Sequence, residues 1–313
     1  MNTEISSKPT LIVIVGPTAV GKSSLALHLA SRFSGEVVNS DSRQVYRGLE
    51  IGTAAPSRES CSLVPHHLYG IVDPGDGFNI AQYIPLASRT IQGVHERGNL
   101  PILVGGTGQY VNGLVQGWTT PKVPPNPILR EQLVAKLAEE GIAALVSRLE
   151  ELDPLAAARV DMRNPRRIIR AIEVREVAGS TPAAVQNQIP PYNSFFVGLT
   201  TSSRAELHQR IDERVDQMID GGWIPEVRTL IEQGYSKDLP ALSSLGYLEL
   251  IQFLSGELSL EEAVRLIKVS HHRLARNQYT WFKPTDSRIN WFVIGEGYKL
   301  QVEVALREWL NNG

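Results

Sequence analysis

The sequence predicts an α/β fold in three parts: a parallel-sheet core, a helical insertion, and a mostly helical C-terminal part that completes the core. Three observations predict it. Gly16-Pro17-Thr18-Ala19-Val20-Gly21-Lys22-Ser23 fits the phosphate-loop pattern G-x-x-x-x-G-K-[ST] with no mismatch. Apolar runs alternate with helical patterns through the first third, the signature of a parallel sheet. From Pro127 to about Val185 only helical patterns remain, rich in Ala, Leu, Glu and Arg.

Each element has its own signal. Leu11-Ile12-Val13-Ile14-Val15 is apolar and largely β-branched, as a strand buried on both faces must be. From Ser24 to Phe33, apolar residues recur at helical spacing through Leu25, Leu29 and Phe33. The phosphate loop therefore joins a strand to a helix N-terminus, which makes the core P-loop NTPase-like. Loop N–H groups and the helix dipole both favour bound phosphate there. Glu36–Ser40 and His67–Val72 read as further strands, and Asn79 is placed to cap a helix running to about His95. Leu100–Val104 is a strand that ends in Gly105-Gly106-Thr107-Gly108. The proline-dense Thr119–Pro127 marks an exit from the core. Inside the insertion, Asn164-Pro165 sets an N-cap before a proline at the first helical position. Ile189-Pro190-Pro191-Tyr192 closes it, and Ser194–Leu199 resumes the sheet. Ser259-Leu260-Glu261-Glu262 reads as a capping box opening a long helix. Ile289–Val293 is a late strand, followed by a helix to Trp309. The expected boundaries are 1–118 for the first part of the core, 119–190 for the insertion and 191–313 for the completion.

Composition narrows the function classes. With 42% hydrophobic and 20% charged residues, the chain is globular rather than disordered. A net charge of −2 means that any nucleic-acid binding must come from local patches. The single cysteine, Cys61, excludes an internal disulfide framework and a Cys-rich zinc site. Met1–Lys8 is polar and the apolar strand after it is too short for a signal or membrane segment. A cytoplasmic protein without membrane contact is expected.

Several residues carry candidate chemistry. Lys22 is expected to reach a terminal phosphate and Ser23 to ligate Mg²⁺. A P-loop hydrolase also needs a carboxylate at the end of a sheet strand. Leu100–Val104 runs into glycines instead, which favours group transfer over motor, switch or GTPase chemistry. Asp41 follows the second strand at the ligand-binding edge of the sheet. It is placed to hold Mg²⁺, to accept a proton or simply to form a turn. Thr107, after two glycines that admit close backbone approach, offers a hydroxyl at the same edge or caps the next helix. Arg210 and Arg214, four apart, either clamp a diphosphate or pair with Glu206 and Asp212. Arg163, Arg166, Arg167 and Arg170 form one basic stripe; Arg265, Lys268, His272, Arg276 and Lys283 form another. Each stripe neutralises backbone phosphates or is a solvated face balanced by Glu173, Glu176, Glu261 and Glu262. The doublets His66-His67 and His271-His272 read as packing or phosphate contacts, because neighbours on an element point apart.

Taken in order, these residues resemble the bacterial tRNA dimethylallyltransferase (tRNA isopentenyltransferase) family over nearly the whole chain. The resemblance is carried by Gly16–Ser23, Asp41–Tyr46, Ile51–Ala54, Pro65–His67 and Val104–Tyr110. Later matches are Asp153-Pro154, Asn164–Arg167, Arg210–Arg214, Leu245–Tyr247 and Arg276–Trp281. It implies transfer of a dimethylallyl group from dimethylallyl diphosphate to the exocyclic amine of the adenine 3′-adjacent to the anticodon. The implied cofactor is Mg²⁺, and the implied partners are the prenyl diphosphate and the anticodon stem-loop of tRNA, served by a monomer. By resemblance, Asp41 is the general base, Thr107 assists at the reacting centre, Arg214 holds the diphosphate and the loop Gly16–Ser23 binds it. Asp41, Ser42, Arg43, Gln44, Thr107, Arg130, Arg166, Arg167, Ile168, Ile169, Arg170, Ser243, Ser244, Leu245, Gly246, Tyr247 and Leu248 match tRNA-contacting positions. Ser243–Leu248 departs from some members in lacking basic residues, so contacts there are expected to be weaker or made by backbone. Rival readings are an adenylate isopentenyltransferase acting on free nucleotide, a P-loop small-molecule kinase and a nucleotide-gated RNA-binding protein. The arginine-bearing insertion disfavours the first, the missing strand-end acid the second, and the placement of Asp41 and Thr107 the third.

Overall fold

Six strands form one parallel sheet among the described residues: β1 Thr10–Val15, β2 Gly35–Asn39, β3 His66–His67, β4 Leu100–Val104, β5 Asn193–Thr200 and β6 Ile289–Val293. The structure, a computed structural model, describes residues 8–119, 123, 126–178 and 190–312. Strand order is β3-β2-β4-β1-β5-β6. The apolar run of β1 lies centrally, with Ile12 opposite Ile102 on one side and Phe195 on the other. Leu11 to Val15 have no exposed surface, which explains a strand without polar alternation. From β1 the chain first builds one side of the sheet (β2, β3, β4) and later the other (β5, β6). The order therefore reverses at β1, the kind of switch point where open α/β sheets bind ligands.

Helices cover both faces. Lys22–Arg32 and Tyr298–Asn312 bury Leu25, Leu29, Val302 and Leu306 on one face. On the other face, Ile80–Glu96 and Gly108–Val115 bury Tyr83, Ile91 and Val111. Asn79 caps its helix as expected, and Gln82 closes the capping box. Two sequence expectations need correction. Only His66 and His67 of the stretch to Val72 pair with β2; Leu68 then takes φ 66° and Gly70 φ 56°, which turns the chain away. At Ser259 only half the capping box forms, because Glu262 turns its carboxylate to Arg265 at 2.7 and 2.8 Å. The helix Leu260–Trp281 packs with Trp223–Glu232 and Tyr247–Leu254 around Trp223, Tyr247, Leu250 and Ile267.

The chain divides into two compact units, Met1–Gly117 with Ile189–Gly313, and Trp118–Gln188. In the second unit, Pro127–Glu140, Ile142–Leu152, Pro154–Ala157 and Pro165–Ala178 enclose Leu133, Leu145, Leu149, Ile168 and Ile172. Most of the proline-dense exit, the helical pattern beyond Ala178 to Val185, and Ile189 lie outside the described residues. No helix among the described residues is long and apolar enough to cross a membrane.

Candidate active site

The phosphate loop sits between β1 and the helix Lys22–Arg32. Gly16 adopts φ 137°, and a side chain there would overlap the Leu199 backbone of β5, so only glycine lets the loop start in this place. Lys22 folds back to donate to the Pro17 carbonyl at 2.7 Å. Burial and the nearby Arg214 guanidinium pull the Lys22 ammonium down to about 7, against the opposing pull of Asp41. Arg214, on the helix Arg204–Asp220, has a buried Nε with no hydrogen-bond partner. Lys22, Ser23, Thr18, Asp41 and Arg214 line one cavity of about 190 Å³. A buried, unpartnered guanidinium donor beside an ammonium and loop amides is a site that an anion would satisfy.

A second cavity of about 460 Å³ is lined by Ser42, Thr107, Ser243, Arg273, Asn277 and Trp281. Asp41, Arg43, Gly106, Leu245, Leu274 and Gln278 line both cavities. Asp41 therefore stands where the two spaces meet. Its geometry is set locally. The Asn39 side chain accepts from the Asp41 N–H at 2.8 Å, and Asp41 Oδ1 accepts from the Arg43 N–H at 2.8 Å. The second carboxylate oxygen has no partner among the described residues. Asn39 is itself buried, donates to the Asp41 and Leu68 carbonyls, and accepts at its own carbonyl from the Tyr83 hydroxyl. Thr107 precedes the helix Gly108–Val115 but does not cap it with its side chain. Its hydroxyl accepts from the Ser42 N–H at 3.0 Å and donates to the Ser42 hydroxyl at 3.3 Å.

Most sequence candidates in this unit converge here, with differences of role. Arg210 does not line the cavity; its Nε donates to the Ala19 carbonyl and braces the phosphate loop from outside. Gln44 donates to the Thr53 and Ala54 carbonyls, and Arg43 to the Pro240 carbonyl at 2.6 Å. Within Ser243–Leu248, Ser243, Ser244 and Leu245 line the cavities. Tyr247 is buried with its hydroxyl on Glu226, Gly246 takes φ 90°, and Leu248 is exposed.

The second basic stripe is not a continuous cationic face. Arg265 pairs with Glu262, Lys268 with Asp216 and His272 with Asp212, because each carboxylate lies within reach. Arg276 and Lys283 keep no ion-pair partner among the described residues. The histidine doublets fit packing: His67 contacts buried Glu36, and His271 donates to the Ile267 carbonyl. No metal-binding cluster of His, Cys, Asp or Glu occurs among the described residues. Asn39 and Arg273 were not singled out from sequence, and Gln278 entered only within the family match Arg276–Trp281. Ser270, Arg273, Asn277 and Gln278 recur at i, i+3, i+7 and i+8, a polar face on an otherwise amphipathic helix that would have exposed Arg273 and Gln278.

Arg130, Arg166, Arg167, Ile168, Ile169 and Arg170 belong to the insertion unit. Glu173 has no exposed side-chain surface; Arg130 holds it through two bonds of 2.9 Å and Arg170 through one of 2.5 Å. Burial pushes the Glu173 carboxyl up, but these donors and the Asn126 N–H outweigh that and hold it below its ordinary range. Ile168 and Ile169 are buried, so their side chains form core rather than a substrate surface. Arg166 and Arg167 are exposed and form no salt bridge among the described residues, although Arg167, behind Arg163, lies near enough to help lower the Asp161 carboxyl.

A phosphate loop at the switch point of a parallel sheet, lining one of two adjoining cavities, defines a P-loop α/β protein equipped for group transfer. The IPP transferase family model matches residues 44–285, and the Isopentenyl transferase model matches 9–64. The chain belongs to the IPP transferase family. It is 45% identical to a tRNA dimethylallyltransferase of Roseiflexus sp. over 96% of this chain and 99% of that relative. The crystal structure of the full-length tRNA isopentenylpyrophosphate transferase of Bacillus halodurans superposes with a TM-score of 0.73 at 38% identity, covering 97% of this chain and 98% of that one. A eukaryotic dimethylallyltransferase described as acting on tRNA matches with a TM-score of 0.83 at 25% identity, covering 97% of this chain and 80% of that one.

Proposed function

We propose that this chain transfers a dimethylallyl group from dimethylallyl diphosphate to the exocyclic amine of the adenine 3′-adjacent to the anticodon in tRNA. The products are N6-dimethylallyladenosine and diphosphate. One observation carries the reading: Asp41 stands on the wall shared by a cavity rich in phosphate donors and a larger one lined by Thr107, Arg273, Asn277 and Trp281. In the transfer, the amine nitrogen bonds to the first prenyl carbon as the carbon–oxygen bond to diphosphate breaks. Asp41 takes the amine proton, which offsets the weak nucleophilicity of a lone pair delocalised into the ring. Lys22, Arg214 and the loop amides receive the charge that develops on the leaving group. A base in a single-stranded anticodon loop reaches such a site at less cost than one in a duplex.

Magnesium fits the donor set: the Ser23 hydroxyl on the diphosphate cavity would hold the ion together with oxygens of the bound diphosphate. When bound, the ion would neutralise diphosphate charge. Arg166 and Arg167 are the insertion residues we assign to the tRNA backbone. Free nucleotide is a poorer candidate acceptor, because relatives and structural neighbours bear names of tRNA enzymes. The test mixes enzyme, Mg²⁺, dimethylallyl diphosphate and either unmodified tRNA or free adenosine monophosphate. The expected result is one C5H8 unit added to one adenosine of tRNA. Addition to the free nucleotide alone, or ATP turnover without prenyl transfer, would overturn the reading.

A further inference from the structure

Between the two cavities lies a side chain that neither substrate role uses. Gln278, on the helix Leu260–Trp281, is 5% exposed. Its Oε1 accepts from the Thr18 N–H of the phosphate loop at 2.8 Å. Its Nε2 donates to the Gly106 carbonyl at 3.3 Å, one residue before Thr107. Thr107 in turn bonds Ser42, the neighbour of Asp41. A path of hydrogen bonds and peptide links, through Gly106–Thr107 and Ser42–Asp41, thus runs from the phosphate loop through Gln278 to the edge that carries Asp41. Gly106 is shaped for it: a Cβ there would overlap the Gln278 amide nitrogen.

We propose that Gln278 is a positioning residue for prenyl transfer, fixing the span between the phosphate loop that holds the leaving diphosphate and the Asp41–Thr107 edge where the acceptor amine sits. The inference rests on the function proposed above. Its physical need is plain. The two halves of the site come from different strand ends, β1 for the loop and β4 for Thr107, with β2 supplying Asp41. Displacement at carbon requires nucleophile, carbon and leaving oxygen in line, and misplacement by about 1 Å costs up to about a hundredfold in rate. Strand pairing sets the strand ends but leaves the loops beyond them to other contacts. Gln278 is the side chain that bonds both loops at once. An apolar side chain of equal length would leave the Thr18 N–H and the Gly106 carbonyl without these partners.

The experiment compares single-turnover transfer at saturating substrates, tRNA affinity and thermal melting for wild type, Gln278→Met, Gly106→Ala and the double variant. Gln278→Met lacks the amide. Gly106→Ala displaces it from the other side. Each single variant should slow transfer by about tenfold to a hundredfold, with tRNA dissociation constants within about threefold of wild type. Because both changes disrupt the same bridge, the double variant should be no slower than the worse single variant. Gln278→Glu keeps an acceptor for Thr18 and loses the donor to Gly106, so it should fall between wild type and Gln278→Met. Should Gln278→Met fail to fold, Gly106→Ala and Gln278→Glu carry the same readout. Transfer within about threefold of wild type, losses that multiply in the double variant, or parallel loss of rate, tRNA affinity and melting temperature would overturn the inference. If wild type itself fails to prenylate tRNA, the proposed function falls instead.

Discussion

Lys22 makes the site sensitive to pH in a defined direction. The folded chain holds its ammonium near 7, well below the ordinary lysine value of 10.5. The free protein therefore gains stability as pH rises from about 7 towards 10.5, where the folded group is neutral and the unfolded one still charged. Diphosphate binding demands the charged form. Around pH 8.5 the diphosphate is already fully ionised, with a last phosphate pKa of about 6, so binding should draw in one proton for Lys22. Calorimetry in buffers of different ionisation heat should find that uptake, absent in Lys22→Met, with affinity falling as pH rises. Zero uptake would mean that Lys22 stays charged in the free protein. Asp41 gives a second residue-scale expectation. Asp41→Asn should slow single-turnover transfer by about 10²–10⁴-fold while leaving tRNA affinity nearly unchanged. A near-normal rate would move the base elsewhere.

At the scale of elements, the arginines of the insertion separate into two jobs that spacing alone does not distinguish. Arg130 and Arg170 hold the buried Glu173, whereas Arg166 and Arg167 project into solvent. Replacing Arg166 and Arg167 by alanine should weaken tRNA binding and lower its salt slope by about one to two units, with diphosphate affinity unchanged. Arg130→Ala should instead loosen the insertion by about 2 kcal/mol, since it takes a charged partner from a buried carboxylate. Hydrogen exchange in Pro127–Glu140 and Pro165–Ala178 would report that loss; a lower salt slope with full protection would make Arg130 a phosphate contact. The same contrast shows what sequence could reveal. The strand β1, the phosphate loop and the cap at Asn79 were legible because each rests on neighbours within a few residues. The broken strand after His67 was not, since it turns on a positive φ at Leu68 held by Asn39 from another strand. Likewise Arg210 and Arg214 share a helix face in sequence, yet one braces the loop and the other lines the cavity, a difference set by packing across the sheet.

For the molecule as a whole, the candidate site was legible wherever residue type and strand end coincided, as at Lys22, Asp41 and Thr107. Gln278 lay within the family match Arg276–Trp281, but its bridging role was not legible, because its partners lie 260 and 172 residues away in the chain. The expected monomer should scatter light as a single 34.5 kDa species that takes up one tRNA; an obligate dimer would contradict this. The position of β1 has a further consequence during synthesis. Its two partners are β4, made before the insertion, and β5, made after it. While the ribosome is translating the insertion, one edge of the apolar run Leu11–Val15 therefore has no strand beside it. An unpaired apolar edge invites pairing with other chains. The nascent protein passes through this exposed stage before β5 emerges, and it lacks the full ligand site until the codons for the helix ending at Trp281 have been read.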